Sequence, residues 1–347
     1  MIQPPAAAGP AIGPREANGI GDPVASRDDG HGPTSIDAQS ILDRLENLPT
    51  LPLIALRIGE LVQGGQAPAS EIAAVMRSDP SLSAKVLRLV NSPYFAIPGG
   101  VSDVQRAISF IGFNTLHQIV LSLSVLEALR TPRGTRFDAR GLWLHSLAVG
   151  ACAQVIATEI RHPEASACFT AGLLHDVGKI GLAKTEPERF GVALDEAQRS
   201  GASMAETERR AGLPSHDRVG SRLGRLWKFP AALLMPIELH HFPSDSQERG
   251  RLSPGLRGVV EIVALADELC RHFKIGDGGS PAAEGHDVAA LERLGLGVHS
   301  VGRLHGQLMR RLETSKIFLT LIDQGDEPDP AMGSETQKVA PRPVSRR

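Results

Sequence analysis

Ala171-Gly172-Leu173-Leu174-His175-Asp176-Val177-Gly178-Lys179 is an apolar run carrying an imidazole and a carboxylate side by side before a Gly-Lys exit. Both side chains are costly to bury unless they are paired or bind a metal. The run reads as a helix over residues 164–178, and its flanks are helical too. Asp79 is placed to cap a helix with Pro80 at its first position. Leu82, Val86, Leu89 and Val90 follow at helical spacing, and Asn91-Ser92-Pro93 ends the segment. Further helices are expected from Asn114 to about Leu129, over 138–161 with His145, and from the Ser203–Glu206 capping box. More follow over 216–227, 230–241, 255–273 with Asp267, and 300–322. Alternating period-2 runs are nearly absent, so the fold class is all-α.

The chain has 347 residues, enough for one large domain or two smaller ones. A net charge of -2 gives no strong field for nucleic acid or membrane. One Tyr and two Trp argue against a stacking platform for single strands, so no direct nucleic-acid binding is expected. Cys152, Cys168 and Cys270 are far apart and lie in apolar runs, which reads as buried thiols in a reducing cytoplasm. The N-terminus lacks the pattern of a signal peptide. No stretch approaches the roughly 18 apolar residues of a membrane span; Ile119–Leu129 is short and interrupted by Ser122, Ser124 and Glu127. Residues 1–34, with six Pro and six Gly, are too poor in bulky apolar residues to fold, and 325–347 read the same way. A soft division falls near 131–137, at Thr-Pro-Arg-Gly-Thr-Arg.

After that division the chemistry gathers. His145, His175, Asp176, His216, His240, His241 and Asp267 are candidate metal ligands, with Asp176 and Lys179 candidate catalytic groups. Each has an ordinary alternative. His145 alone is more often a hydrogen-bonded core histidine, and Asp267 is as readily a salt-bridge partner. His216 defaults to the surface near a helix start. His240-His241 can satisfy the carbonyls of a helix end. Lys179 defaults to a solvated helix-end lysine, but near a metal it would neutralise a substrate phosphate. On a helix, His175 and Asp176 point roughly 100° apart, so a shared ion must sit at the helix edge against a neighbour. Imidazoles and carboxylates together suit Zn, Mn or Fe, as one ion or as a pair.

This ordered set resembles the HD superfamily of metal-dependent phosphohydrolases, and is similar to its cyclic di-GMP-hydrolysing HD-GYP branch. Phe242-Pro243-Ser244-Asp245 stands where that branch has Gly-Tyr-Pro, and Gly141 stands where some members carry an acidic ligand. Leu48-Pro49-Thr50-Leu51-Pro52, Asp79-Pro80-Ser81-Leu82, Leu89–Phe95 and Ala107–Gly112 resemble the HDOD domain, over about 42–245. The resemblance implies a multi-helix HDOD fold. An N-terminal helical half (35–130) packs on an HD-like half (138–245), followed by a C-terminal helical extension (246–324). It also implies a cytoplasmic signalling module acting through protein partners, with no membrane. The rival reading is a metal-dependent phosphodiesterase acting on a cyclic dinucleotide or nucleotide second messenger.

Overall fold

The computed structural model describes residues 35–129, 137–281 and 288–323. The segments 1–34 and 325–347, expected to lack a core, and most of the 131–137 division lie outside the described residues. The described residues are helical with no strand among them, as the sequence pattern predicts. In chain order the helices are α1 Ser35–Arg44, α2 Leu53–Gly64, α3 Ala69–Arg77, α4 Pro80–Val90, α5 Val104–Ala128 and α6 Ala139–Glu159. Then come α7 Ala165–Leu174, α8 Val177–Thr185, α9 Pro187–Ser200, α10 Met204–Arg210 and α11 His216–Leu226. The last are α12 Ala231–Leu239, α13 Gln247–Gly250, α14 Pro254–His272, α15 Val288–Arg293 and α16 Ser300–Asp323.

Short polar side chains start these helices by taking up backbone N–H groups that lack intrahelical partners. Asp79 accepts from Leu82 N at 2.9 Å, Asp138 from Gly141 N at 2.9 Å and Ser203 from Glu206 N at 3.3 Å. One expectation is extended and one needs correction. The helix expected from Asn114 follows a break at Gly112 (φ 78°, ψ 166°), and a further helical segment from Val104, under an Asp103 cap, precedes that break. The expected 164–178 helix is two helices. α7 stops at Leu174 and α8 starts at Val177, so His175 and Asp176 occupy the corner between them.

α6 is the central rod, packed against α7, α14 and α16. α5 and α6 are long and apolar enough to cross a membrane by length and composition, contrary to the expectation that no stretch comes close. Their apolar residues face the core instead: 72% of the α6 window is buried inside the fold. One hydrophobic cluster runs from Ile41 to Phe318 and joins the N-terminal helices to the HD-like half. At the surface, ion pairs Arg44–Glu186 and Arg222–Glu46 tie the first helical segments to the later ones.

Glycines on both sides of the His-Asp corner set its position. A Cβ built on Gly172 of α7 would lie 2.7 Å from the Gly150 Cα of α6. One built on Gly178 of α8 would lie 1.8 Å from the His216 carbonyl of α11. Both crossings are therefore backbone on backbone, and the corner is held against α6 on one side and α11 on the other. Gly178→Ala must push α8 off α11, an overpacking change that costs about 1–3 kcal/mol or more. Gly64→Ala, with nothing within 4 Å of the new methyl, is expected to leave the melting temperature unchanged or raise it. Thermal denaturation of the two variants separates them, and equal melting temperatures would contradict the crossing.

Candidate metal centre

The corner His175-Asp176 is the middle of the site. His175 is fully buried, and its Nδ1 donates to Gly172 O at 2.8 Å, back along α7. That bond fixes the tautomer and leaves the Nε2 lone pair facing inward, 3.2 Å from Asp176 Oδ2 and 3.7 Å from Asp267 Oδ1. Asp176 is 1% exposed. Its Oδ2 accepts from Lys179 Nζ at 2.7 Å. Its Oδ1 lies 3.4 Å from His216 Nε2 and 3.8 Å from His240 Nε2.

The remaining imidazoles repeat the arrangement. His145, on α6, has Nδ1 toward Ile275 O at 3.4 Å and Nε2 3.0 Å from Asp267 Oδ1. His216 opens α11, where Glu208 accepts from its backbone N and from its Nδ1, both at 2.9 Å. Its Nε2 faces His241 Nε2 at 2.9 Å. His240 follows α12, and its Nδ1 donates to Pro236 O at 2.9 Å. Anchoring one ring nitrogen on a carbonyl or carboxylate, so that the other is aimed, is how metal-ligating histidines are oriented.

Two donor sets result. His145, His175 and Asp176 form one, and Asp176, His216, His240 and His241 form the other, with ligand atoms in each within 4.8 Å of one another. Asp176 belongs to both. Asp267, on α14, adjoins the first set and accepts from Arg271 Nε at 3.1 Å through its second oxygen. Three buried atoms in this space have no hydrogen-bond partner: His175 Nε2, Asp176 Oδ1 and His240 Nε2. An unpaired buried polar atom costs about 1–3 kcal/mol, and three converging ones fit a cation better than a packing fault.

The electrostatics agree. Burial resists charge on His175, but Asp176 and Asp267 outweigh it and push the imidazole up to about 9. Burial likewise resists ionisation of Asp176, yet His175 and Lys179 hold its carboxyl well below the usual carboxylate range. Burial opposes charge on Asp267 too, and Arg271 and His145 hold it low. The carboxylates that raise His175 are the same negative charge that would favour a cation beside it.

The structure thus brings together all seven residues that the sequence offers as ligands. His216 is not at the surface but fully buried, because Gly178 admits the start of α11. Lys179 is not a solvated helix-end lysine. It is 1% exposed and donates to Asp176 Oδ2 and to Gly278 O at 2.7 Å, and to Ser280 Oγ at 3.3 Å. Its ammonium holds Asp176 and the 275–280 loop rather than facing an open phosphate site. Two contributors escape sequence reading. Glu208 is fully buried yet sits in Glu206-Thr207-Glu208-Arg209-Arg210, a run that reads as a solvated face. The glycine loop after α14 lies on His145, where a Cβ on Gly276 would meet its backbone N at 2.3 Å. Its Asp277 N donates to Gly141 O at 3.0 Å, filling the space beside that glycine.

Comparison with known proteins agrees with this architecture. An uncharacterized protein of Treponema pallidum (strain Nichols) is 26% identical over 245 residues, which is 70% of this chain. The chain spans only 45% of that relative's length. A solved structure from Marinobacter aquaeolei VT8, named as a candidate signal transduction protein, has a TM-score of 0.67 at 23% identity, covering 83% of this chain and 65% of its own. Another, from Shewanella amazonensis SB2B and named as a candidate phosphohydrolase, has a TM-score of 0.61 at 21% identity, covering 82% and 98%. At these identities the likeness establishes the fold. The HDOD domain model matches residues 48–243, more than half of the sequence, and this chain therefore belongs to the HDOD family.

Proposed function

We propose that this chain is a cytoplasmic HDOD signal-transduction protein that carries a resident divalent-metal centre and acts through protein partners. The observation that carries the reading is the convergence of the three unpartnered buried atoms on one space, His175 Nε2, Asp176 Oδ1 and His240 Nε2. His145, His175, Asp176 and Asp267 would hold one ion, and Asp176, His216, His240 and His241 a second. The donors are imidazole nitrogens and carboxylate oxygens, which suit Zn, Mn or Fe. Such ions supply Lewis acidity toward phosphoryl oxygens and lower the pKa of water. Since the donors come from α6, the α7–α8 corner, α11, the end of α12 and α14, a bound ion also ties these elements together.

A ligand bound only to the native state stabilises it, by about 2.7 kcal/mol at 100 times Kd. Stripping metal-loaded protein with a chelator is therefore expected to lower the melting temperature by several degrees. Asp176→Ala, which removes the residue common to both donor sets, is expected to abolish that sensitivity. An unchanged melting curve on protein first shown to contain metal would contradict the structural role of the ion.

The phosphohydrolase reading is favoured by one feature: the centre opens on a cavity lined by His240, His241 and Asp267. Structural metal sites are closed, whereas catalytic ones keep an open position. Cyclic di-GMP is a poor candidate. Phe242, Pro243 and Ser244 line the cavity in place of a Gly-Tyr-Pro segment. Without that segment to position the substrate, orders of magnitude in rate are lost. Metal-reconstituted protein incubated with cyclic di-GMP should show no turnover near the ordinary enzymatic range of roughly 1 per second or more. Turnover in that range, abolished by Asp176→Ala, would promote the phosphodiesterase.

A further inference from the structure

The metal centre has one open side. His145, His175, Asp176, His216, His240 and Asp267 are each 5% exposed or less, while His241 is exposed. The 275–280 loop closes the His145 side. A Cβ on Gly278 would lie 2.8 Å from the His145 ring, and Gly278 O accepts from Lys179. On the His241 side lies a cavity of about 220 Å³. His240, His241 and Asp267 form part of its wall, and Arg271, Arg293, Glu261 and Glu268 line it as well.

We infer that this cavity is a subsite for a small phosphomonoester bearing hydroxyl groups, of sugar-phosphate size, with its phosphoryl group held by Arg271 and Arg293. The inference rests on the metal-centre reading and names the class of compound that reaches that centre. Arg271 stands one helical turn after Asp267 on α14, and its Nε donates to Asp267 Oδ2 at 3.1 Å. That bond holds the guanidinium at the edge of the centre, and Arg271 lines the cavity. A planar, permanently charged fork matches phosphate oxygens two at a time. Arg293, on α15, lines the same space.

Arg249, also on the wall, has a different task. It is 3% exposed, and its Nη2 donates to Leu239 O at 3.0 Å and His240 O at 3.1 Å, which pins the turn carrying His240 and His241. Glu261 and Glu268 add acceptor oxygens suited to hydroxyl donors, and their charge disfavours a ligand that is anionic throughout. Together these groups suit a compound with a phosphate at one end and hydroxyls at the other. The volume suits a small ligand. The 220 Å³ cavity is smaller than the roughly 300–1,000 Å³ of drug-sized ligand sites, so a cyclic dinucleotide would have to extend beyond it into solvent. Arg271 and Arg293 both lie beyond the HDOD match at residues 48–243, so the two cations of the subsite come from the C-terminal extension.

The test is isothermal titration calorimetry on the full chain, with metal content measured on each sample. The probes are inorganic phosphate, ribose 5-phosphate, ribose and cyclic di-GMP. Ribose 5-phosphate is expected to bind more tightly than phosphate, ribose should not bind, and cyclic di-GMP should bind at least tenfold more weakly than ribose 5-phosphate. Arg293→Ala is expected to weaken ribose 5-phosphate at least tenfold while keeping wild-type metal content. Arg271→Lys, which keeps the charge but loses the fork, is expected to weaken it similarly. Metal-loaded protein that binds no phosphate, or whose affinity is indifferent to Arg293→Ala, would overturn the subsite and leave the metal centre standing. Cyclic di-GMP binding as tightly as ribose 5-phosphate would overturn the size assignment. Wild-type protein without metal would overturn the metal-centre reading, while Arg293-dependent phosphate binding in that protein would still uphold the subsite.

Discussion

A single buried carboxylate organises this molecule. Asp176 is 1% exposed, yet it stays ionised because His175 and Lys179 surround it with positive charge. One oxygen accepts from Lys179 and the other faces His216 and His240. Burying an anion this deeply is unfavourable unless cations and hydrogen bonds answer it. Lys179 answers one oxygen from within α8. The other oxygen is left to the imidazoles or to an ion among them.

The rest of the fold delivers those answers to one place. Asp176 sits at a helix corner, and a corner can meet neighbours on two sides where a helix interior meets one. Gly172 lets α7 lie on α6, which carries His145, and Gly178 lets α8 lie on the start of α11, which carries His216. α12 ends so that His240 turns inward, and α14 brings Asp267 with Arg271 behind it. Four of the five imidazoles are then set by a second bond on the far nitrogen, to Ile275 O, Gly172 O, Glu208 or Pro236 O. The stability of the helical core and the geometry of the site are thus one problem, since the glycine crossings serve both.

Much of this was legible beforehand. Asp79 and Ser203 announce helix starts because a short acceptor before an apolar helical pattern has a local physical role. The ligands were legible as an ordered set of His and Asp in apolar surroundings, where burial without a partner is expensive. Other features depend on tertiary contacts and leave no local trace. The break between Leu174 and Val177 falls at His175-Asp176 within an otherwise continuous helical pattern, and it accompanies the close backbone approach of α8 to α11. Glu208 looks like its solvated neighbours until His216 is folded onto it. Lys179 looks like a helix-end lysine until Gly278 O and Ser280 arrive from almost a hundred residues away. α5 and α6 look short of a membrane span because the serines and charged residues interrupt the pattern, yet as continuous helices they are long and apolar, with most of that surface facing the core.

The central claim is that Asp176 is shared by metal ions. Anomalous diffraction from crystals of the protein purified without chelator, collected across the Mn, Fe and Zn absorption edges, tests it directly. The account predicts one or two anomalous peaks beside the Asp176 carboxylate, at the roughly 2.0–2.2 Å expected for bonds to carboxylate oxygens and imidazole nitrogens, with Lys179 still bound to Asp176 Oδ2. Crystals supplied with these metals that show no peak there, with His175 and His240 directly bonded to Asp176, would contradict it.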